Sequence, residues 1–256
     1  MSTEKRFGFA STLVLLWLAA TAGAAQPNPS GAPPGWPEPI LDSKPHGFLL
    51  FDQLEYQAAE GPDALRWDAL AWYGGDYHRV WVETEGEHFT GGDGEIERID
   101  VEYGRLIAPF WDLQAGFGYQ REYGAGPDAD RFWAVVGLQG LAPYWFEVDA
   151  NLRLSEDGDV SADLELEYDL LLTQRLILQP RFETELAAQE VKEFGVGRGF
   201  NSVRLGLRLR YEIRREFTPY LGISWARALG ETADLAREEG GDIETFSVLG
   251  GVRMWF

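Results

Sequence analysis

The chain of 256 residues contains no cysteine, and this absence excludes disulfide bonds and thiolate metal sites. Methionine and histidine are also scarce, with two and three copies, so few soft or imidazole metal ligands are present. Basic residues number 22 against 42 acidic ones, and the net charge of −20 argues against nucleic acid as a partner, because phosphate binding needs clustered lysine and arginine. The sequence is slightly polar on average, which a bundle of membrane helices would not be.

One long apolar run is present, at residues 7–20 near the N-terminus. Lys5 and Arg6 precede it, and the small residues 22–24, Ala-Gly-Ala, follow it. This pattern is typical of a cleaved export signal. A membrane anchor is the alternative, but the run is short for a helix that spans a bilayer. We therefore predict a signal peptide over residues 1–24.

Residues 25–46 are rich in proline and are predicted to form an extended periplasmic leader that is neither strand nor helix. Residues 47–256 alternate apolar and polar side chains, most clearly in "SVRLGLRLRYEIR" at 202–214. This period of two indicates strands, and no stretch after residue 25 shows a convincing helical period. Twelve strand segments are predicted: 47–57, 64–74, 77–88, 95–106, 109–121, 131–141, 143–155, 159–172, 174–188, 200–214, 216–229 and 244–256.

The connections between these segments alternate in length. The odd-numbered ones are mostly long and polar, such as "EHFTGGDG", whereas the even-numbered ones are tight, such as "GGD" and "AP"; the short connection at 156–158 breaks the long series. This alternation, together with the export signal and the terminal Phe256, is typical of an outer-membrane barrel. We predict an all-β fold, a closed antiparallel transmembrane β-barrel of about 12 strands with short periplasmic turns and longer extracellular loops. A soluble all-β sandwich is the alternative.

In a closed barrel the apolar face of each strand meets outer-membrane lipid and the charged face lines the lumen. The charge rows predicted to face the lumen are Asp163, Glu165, Glu167, Asp169, Arg204, Arg208 and Arg210. Further charges predicted to face inward are Glu147, Asp149, Arg153, Arg175, Arg181, Glu183 and Glu185. Neighbouring acidic and basic rows are expected to pair as a scaffold. Carboxylates left without a partner would attract cations, so a cation conduit is the second interpretation.

Many aromatic residues flank the predicted strands. They fit the girdles that barrels place at the two membrane interfaces. The residues predicted for these girdles are Trp67, Trp72, Tyr73, Trp81, Trp111, Trp133, Trp145, Trp225 and Trp255. A surface on which sugars stack is the alternative.

Long strings of the sequence resemble the copper resistance protein B family of outer-membrane proteins. They are "LFDQLEYQ" (50–57), "WDALAWYGGDYHRVWVETEGE" (67–87), "IAPFWDLQAGFGY" (107–119), "LEYDLLLTQRLILQPRFE" (166–183) and "LRLRYEIRREFTPYLGISWARALGETADLAREEG" (207–240). The resemblance implies a barrel that binds or passes copper ions in periplasmic copper homeostasis, alongside a periplasmic multicopper oxidase. Many members carry a leader rich in methionine and histidine, but here the leader is rich in proline and contains only His46.

The three histidines offer few combinations for a metal site. His46 precedes the first strand and His78 begins the third, so both are predicted at the periplasmic rim, whereas His88 lies roughly 30 Å along the strand at ~3.3 Å per residue. A weak copper site from His46 and His78 with Asp76 or Asp52 is chemically reasonable, because Cu(II) accepts imidazole and carboxylate ligands. The alternative is that these histidines are unrelated residues at the membrane interface. It is favoured because His78 alternates in phase with Val80 and Val82, which are predicted to face lipid.

Three functions follow as candidates. The first is a non-enzymatic outer-membrane barrel that handles copper. The second is an enzyme such as a phospholipase, which would need a serine activated by a positioned histidine, and no such pairing or lipase elbow occurs in the sequence. The third is a general small-solute channel, an adhesion barrel or a structural barrel without specific metal binding. We expect the protein not to be an enzyme.

Overall fold

The computed structural model describes residues 44–124 and 129–256. The predicted signal peptide and the leader up to residue 43 lie outside these residues. Strands make up most of the described chain, and their bounds are β1 His46–Ala59, β2 Ala64–Gly74, β3 His78–Phe89, β4 Gly94–Ala108, β5 Trp111–Tyr123, β6 Ala129–Ala142, β7 Phe146–Ser155, β8 Val160–Tyr168, β9 Leu170–Leu171, β10 Leu176–Ala187, β11 Gly199–Tyr211, β12 Phe217–Ala228 and β13 Glu244–Trp255.

The strands pair in one antiparallel sheet that closes on itself. Apart from the short β9, each strand pairs with the next along the chain, and β13 returns to pair with β1. The two-residue strand β9 follows β8 after a break at Asp169 and pairs with β10, which also pairs with β8 and β11. The ring therefore has twelve positions, and the predicted twelve-stranded barrel is confirmed. Closure leaves no sheet edge exposed, as a structure inside a bilayer requires.

The two faces of the barrel wall are inverted relative to a soluble sheet. On β11, Arg208 and Arg210 point inward and are only 4% and 3% exposed. Leu205, Leu207 and Leu209 alternate with the arginines and point outward, with 46%, 38% and 43% exposed. This strand therefore turns its leucines to lipid and its arginines to the lumen, as predicted.

The tight turns at the periplasmic rim carry aromatic residues in an unusual backbone conformation. Phe110 lies between β4 and β5, and Tyr144 and Trp145 lie between β6 and β7; all three have positive φ angles of 67–70°. The left-handed conformation is unfavourable for residues other than glycine. Here it leaves three large side chains exposed at the rim, each by at least 67%, and aromatic rings favour the membrane interface.

One extracellular connection contains a helix that the sequence analysis did not predict. Residues Gly230–Glu239 form α1, which ends at Gly240 in the left-handed conformation. The segment is polar on nearly all sides and, of its side chains whose burial is described, only Ala233 is buried, so no apolar stripe marks the helical period. No helix among the described residues has the length and apolar character needed to cross a bilayer.

Because both edges of every long strand are paired, the closed barrel is expected to resist detergent until it is heated. Unboiled protein should therefore migrate at a different position from boiled protein on a detergent gel. Identical mobility before and after boiling would contradict closure.

Candidate functional site

The lumen is lined by ionised side chains that pair with one another. All seven residues of the predicted charge rows make their contacts on this inner face. The pairs are Asp163 with Arg153 at 2.7 Å, Glu165 with Arg181 at 2.6 Å, Glu167 with Gln179 at 2.8 Å, Asp169 with Arg210, Arg204 with Glu183 at 3.7 Å, and Arg208 with Glu55 at 2.9 Å. Arg175 differs from the prediction, because it lies exposed in the turn before β10 rather than within a strand.

Arg181 on β10 is the centre of the largest cluster, and its side chain is only 1% exposed. Five carboxylates lie within ion-pair distance of its guanidinium nitrogens: Asp52 at 3.6 Å, Asp68 at 2.9 Å, Glu165 at 2.6 Å, Glu167 at 3.1 Å and Glu183 at 2.6 Å. A sixth, Glu85, lies at 3.9 Å. Arg66 on β2, also 1% exposed, contacts Glu85 and lies 3.3 Å from Glu183.

These contacts cross the lumen from one wall to the other. Four strands separate β10 from β2 on the shorter way around the ring, so Arg181 and Arg66 reach partners on a nearly opposite wall. We call this cluster the septum; it comprises Asp52, Arg66, Asp68, Glu85, Glu165, Glu167, Arg181 and Glu183. Two arginines thus face six carboxylates in a buried layer.

Other ion pairs brace neighbouring parts of the wall. Arg153 on β7 forms a bidentate pair with Asp100 on β4, with donor–acceptor distances of 3.1 and 2.8 Å. Arg208 forms a second bidentate pair with Glu55, at 3.0 and 2.9 Å, and the hydroxyl of Tyr220 donates to the same carboxylate. Paired geometry of this kind compensates the loss of hydration of both charges. This part of the lumen is an ion-paired scaffold.

Two cavities flank the septum. The first, ≈ 370 Å³, lies at the end with the long loops, and Phe194, Thr232 and Ile243 are among its lining residues. The second, ≈ 660 Å³, reaches Pro109 and Phe110 in the tight turn after β4. We call them the extracellular chamber and the periplasmic chamber. Arg98 and Glu165 line both chambers, which places the boundary between them at the septum.

A loop folds over the extracellular chamber. It connects β10 to β11 and passes over the short turn between β7 and β8, where the amide of Gln189 donates to the carbonyl of Gly158 and to Asp159. The ring centroid of Phe194 in this loop lies 3.9 Å from the guanidinium carbon of Arg131, and the ring centroid of Trp133 lies 4.2 Å from it. The short connection that broke the predicted loop pattern is therefore the place where this loop crosses the rim.

Four tryptophans predicted for the interface girdles lie on the inward-facing side of the wall instead: Trp81 and Trp133, together with Trp72, which is paired with Trp81, and Trp255, which shares the parity of Arg253. Trp81 is 5% exposed and Trp133 is 4% exposed. Trp81 alternates with the exposed Val80 and Val82, and Trp133 alternates with Phe132. Strand parity was therefore the signal that separates them from the outer aromatics.

The four residues predicted as copper ligands are not brought into one cluster. Asp52 faces the lumen and accepts a hydrogen bond from Arg253 at 2.5 Å. His78 is exposed on the outer face, where its ring stacks on Tyr103 and its Nδ1 lies 2.6 Å from the Tyr103 hydroxyl. His46 shares the parity of Asp52, so the two histidines lie on opposite faces of the wall, and Asp76 is exposed in the turn before β3.

Within the part of the chain that the structure describes, no three His, Cys, Asp or Glu side chains are arranged as a preformed metal site. The assignment of His46, His78, Asp76 and Asp52 as copper ligands stays a prediction. The septum was not predicted as a unit. Parity places Arg181 in the lumen, but contacts across the barrel depend on strand order and diameter, which parity does not give.

Comparisons with known proteins identify the family. The family described as "Copper resistance protein B precursor (CopB)" matches residues 46–256. The chain is 42% identical to copper resistance protein B of Escherichia coli over 217 residues, which cover 85% of this chain and 72% of the relative. It is 39% identical, with the same coverage, to the copper resistance protein B homolog of Pseudomonas syringae pv. tomato.

Solved structures support the fold. The NanC porin matches with a TM-score of 0.51 and 13% identity, covering 80% of this chain and 98% of the porin. Outer membrane phospholipase A from Escherichia coli matches with a TM-score of 0.50 and 10% identity, covering 81% of this chain and 91% of the phospholipase. At these identities the likeness concerns the barrel fold alone. The chain belongs to the copper resistance protein B family and is an outer-membrane β-barrel protein of a Gram-negative bacterium.

Proposed function

We propose that the barrel contributes to copper resistance by binding or passing copper ions through its acidic lumen, without enzymatic activity. The observation that carries this proposal is the surplus of carboxylates on the inner face of a protein of this family. Ten carboxylates and five arginines line the extracellular chamber, and eight carboxylates and three arginines line the periplasmic chamber. A lumen with such a surplus concentrates cations by its electrostatic field.

The side chains of the lumen favour Cu(II) over Cu(I) as the ion that is handled. Soft sulfur ligands suit Cu(I), whereas oxygen and imidazole ligands suit Cu(II). The sequence has no cysteine, and Met254 alternates with Arg253 on the outer face. The ion would meet carboxylates inside the barrel and His46 at the periplasmic end. A periplasmic multicopper oxidase of the same resistance system is the proposed partner at that end.

The described histidines support a role without catalysis. His78 hydrogen-bonds to Tyr103, and His88 lies 3.3 Å from the hydroxyl of Tyr123. A serine hydrolase would instead place a histidine against its serine nucleophile. A general small-solute channel is the second candidate, because the fold resembles that of the NanC porin. The septum disfavours this candidate more than the binding of copper, because a solute would have to cross the bridged lumen, whereas an ion can bind from one end without crossing it.

Copper titration of the detergent-purified protein tests the proposal. We expect calorimetry to detect weak Cu(II) binding at neutral pH that decreases on acidification, because protons compete for imidazole and carboxylate ligands. The double variant His46→Ala, His78→Ala separates the rim histidines from the lumen, since only histidine-dependent binding should be lost in it. Absence of any heat of binding to the wild-type protein would contradict the proposal, as would unchanged copper tolerance in a deletion strain.

A further inference from the structure

We propose that the periplasmic chamber is a binding site for one hydrated divalent metal cation, with the buried carboxylate of Glu83 as its main anchor. The inference deepens the proposed function and rests on it for the identity of the ion that the cell supplies. It does not rest on copper for the existence of the site, which follows from the chamber's charge, its space and one unpartnered carboxylate oxygen.

The chamber carries an excess of negative charge. Eight carboxylates and three arginines line it, and the described lining includes no lysine. Arg181 of the septum is not among the lining residues but pairs with four of the eight carboxylates. Even when Arg181 is counted, carboxylates exceed arginines by four. Charge that is buried in excess must be compensated by mobile cations or by protons.

Glu83 on β3 is the carboxylate whose negative charge is not fully compensated by neighbouring donors. Its residue is 4% exposed, and its Oε1 atom has no hydrogen-bond partner. The other oxygen, Oε2, lies 3.8 Å from Arg98, which is also shared with Asp149 at 3.5 Å and Glu85 at 3.3 Å. A buried carboxylate oxygen without a donor has lost its hydration without replacement. Glu83 lines the chamber, so its carboxylate adds negative charge there, and a small rotation of the side chain would bring the buried Oε1 to an ion or its water shell.

The ligand chemistry favours a cation that keeps its water. The polar groups of the described lining are carboxylate, amide and guanidinium groups, without imidazole or sulfur, and oxygen ligands suit hard divalent cations. No three described His, Cys, Asp or Glu side chains form a preformed ligand set, so direct coordination by several carboxylates is not built in. Six waters at about 30 Å³ each would occupy roughly 180 Å³. The chamber, at ≈ 660 Å³, has room for a fully hydrated ion.

The position of the chamber determines the side from which it loads. Pro109 and Phe110 place its open end at the tight turns, which face the periplasm in this class of barrel. The septum lies at the other end. The chamber is therefore a pocket that is entered from the periplasmic side and is separated from the extracellular chamber by the septum.

Mn(II) binding to the folded, detergent-purified barrel tests the site, because electron paramagnetic resonance distinguishes bound from free hydrated Mn(II). Glu83→Gln keeps the shape of the side chain and removes one charge, so we expect binding to weaken roughly fivefold to tenfold. Glu185→Gln makes the same change in the extracellular chamber, beyond the septum, and should bind as the wild type does. If Glu83→Gln does not fold, Asp149→Asn in the same chamber provides the equivalent test.

The outcomes separate this inference from the proposed function. Equal Mn(II) and Cu(II) affinities in the wild type and in Glu83→Gln would overturn the chamber site, while Cu(II) binding elsewhere would leave the copper proposal intact. Loss of Mn(II) binding in Glu83→Gln together with no heat of Cu(II) binding in the wild type would establish the chamber and refute the copper proposal. Equal weakening by Glu185→Gln would also overturn the inference, because it would indicate a diffuse charge effect rather than a site.

Discussion

Replacement of Arg181 by alanine is expected to convert a poorly conducting barrel into an open, cation-selective channel. In the wild type the buried guanidinium of Arg181 joins carboxylates of nearly opposite walls across the lumen. Its removal leaves those carboxylates facing one another without the cation that holds them together. Repulsion and the lost side-chain volume should then open the septum, and single-channel current steps should appear in planar bilayers.

The same substitution is expected to reduce stability, because the loss of one partner of a buried ion pair costs about 3–5 kcal/mol. Migration of unboiled protein on a detergent gel checks that the variant still closes. Arg204→Ala is the matched control, since Arg204 lines the extracellular chamber and has a single ion pair, at 3.7 Å, with a side chain 26% exposed. A folded Arg181→Ala barrel with wild-type conductance would show that the septum does not close the lumen.

The second large effect is expected on the lipid side of β11. Leu205 lies at the middle of this strand and points outward, between Phe182 of β10 and Trp225 of β12 in the register of the sheet. Leu205→Arg would place a charge at the depth of the bilayer centre, where arginine destabilises a barrel by about 2–4 kcal/mol. The free energy of unfolding in lipid vesicles, from denaturant titration, measures the loss.

Tyr211 provides the control within the same strand and on the same face. It lies at the periplasmic end of β11 and is 48% exposed. Tyr211→Arg should cost only about 0–1 kcal/mol, because the penalty for arginine falls towards the interface. Equal losses in the two variants would contradict the proposed depth of β11 in the membrane.

The strands and their orientation could be predicted because the alternation is continuous through most of the barrel. The segment 64–74 was predicted with the bounds that β2 has, and the predicted segment 174–188 contains β10. A period of two identifies both the strand and the face of every residue in it. It does not reveal local interruptions such as Asp169, which divides the predicted segment 159–172 into β8 and β9.

The candidate site was predicted less completely for a different physical reason. Parity identified the charge rows on β8 and β11, but it does not specify which row meets which across the lumen. Arg66 and Glu183 are 117 residues apart in the chain and pair only because β2 and β10 lie on nearly opposite walls. The copper ligands were predicted because their positions in the strands place them at the same level of the barrel axis. That criterion does not say which face of the wall a residue lies on, and His46 and His78 lie on opposite faces.

The septum also constrains how the barrel can assemble. Its arginines sit on β2 and β10, so a sheet that has not yet curled around brings neither guanidinium to its distant carboxylates. Hairpins can form between neighbours early, but neutralisation of the central layer must wait for the last seam, between β13 and β1, to join. Closure of the barrel and pairing of these charges are therefore one cooperative step. In an insertion intermediate that has not closed, the acidic groups would remain hydrated.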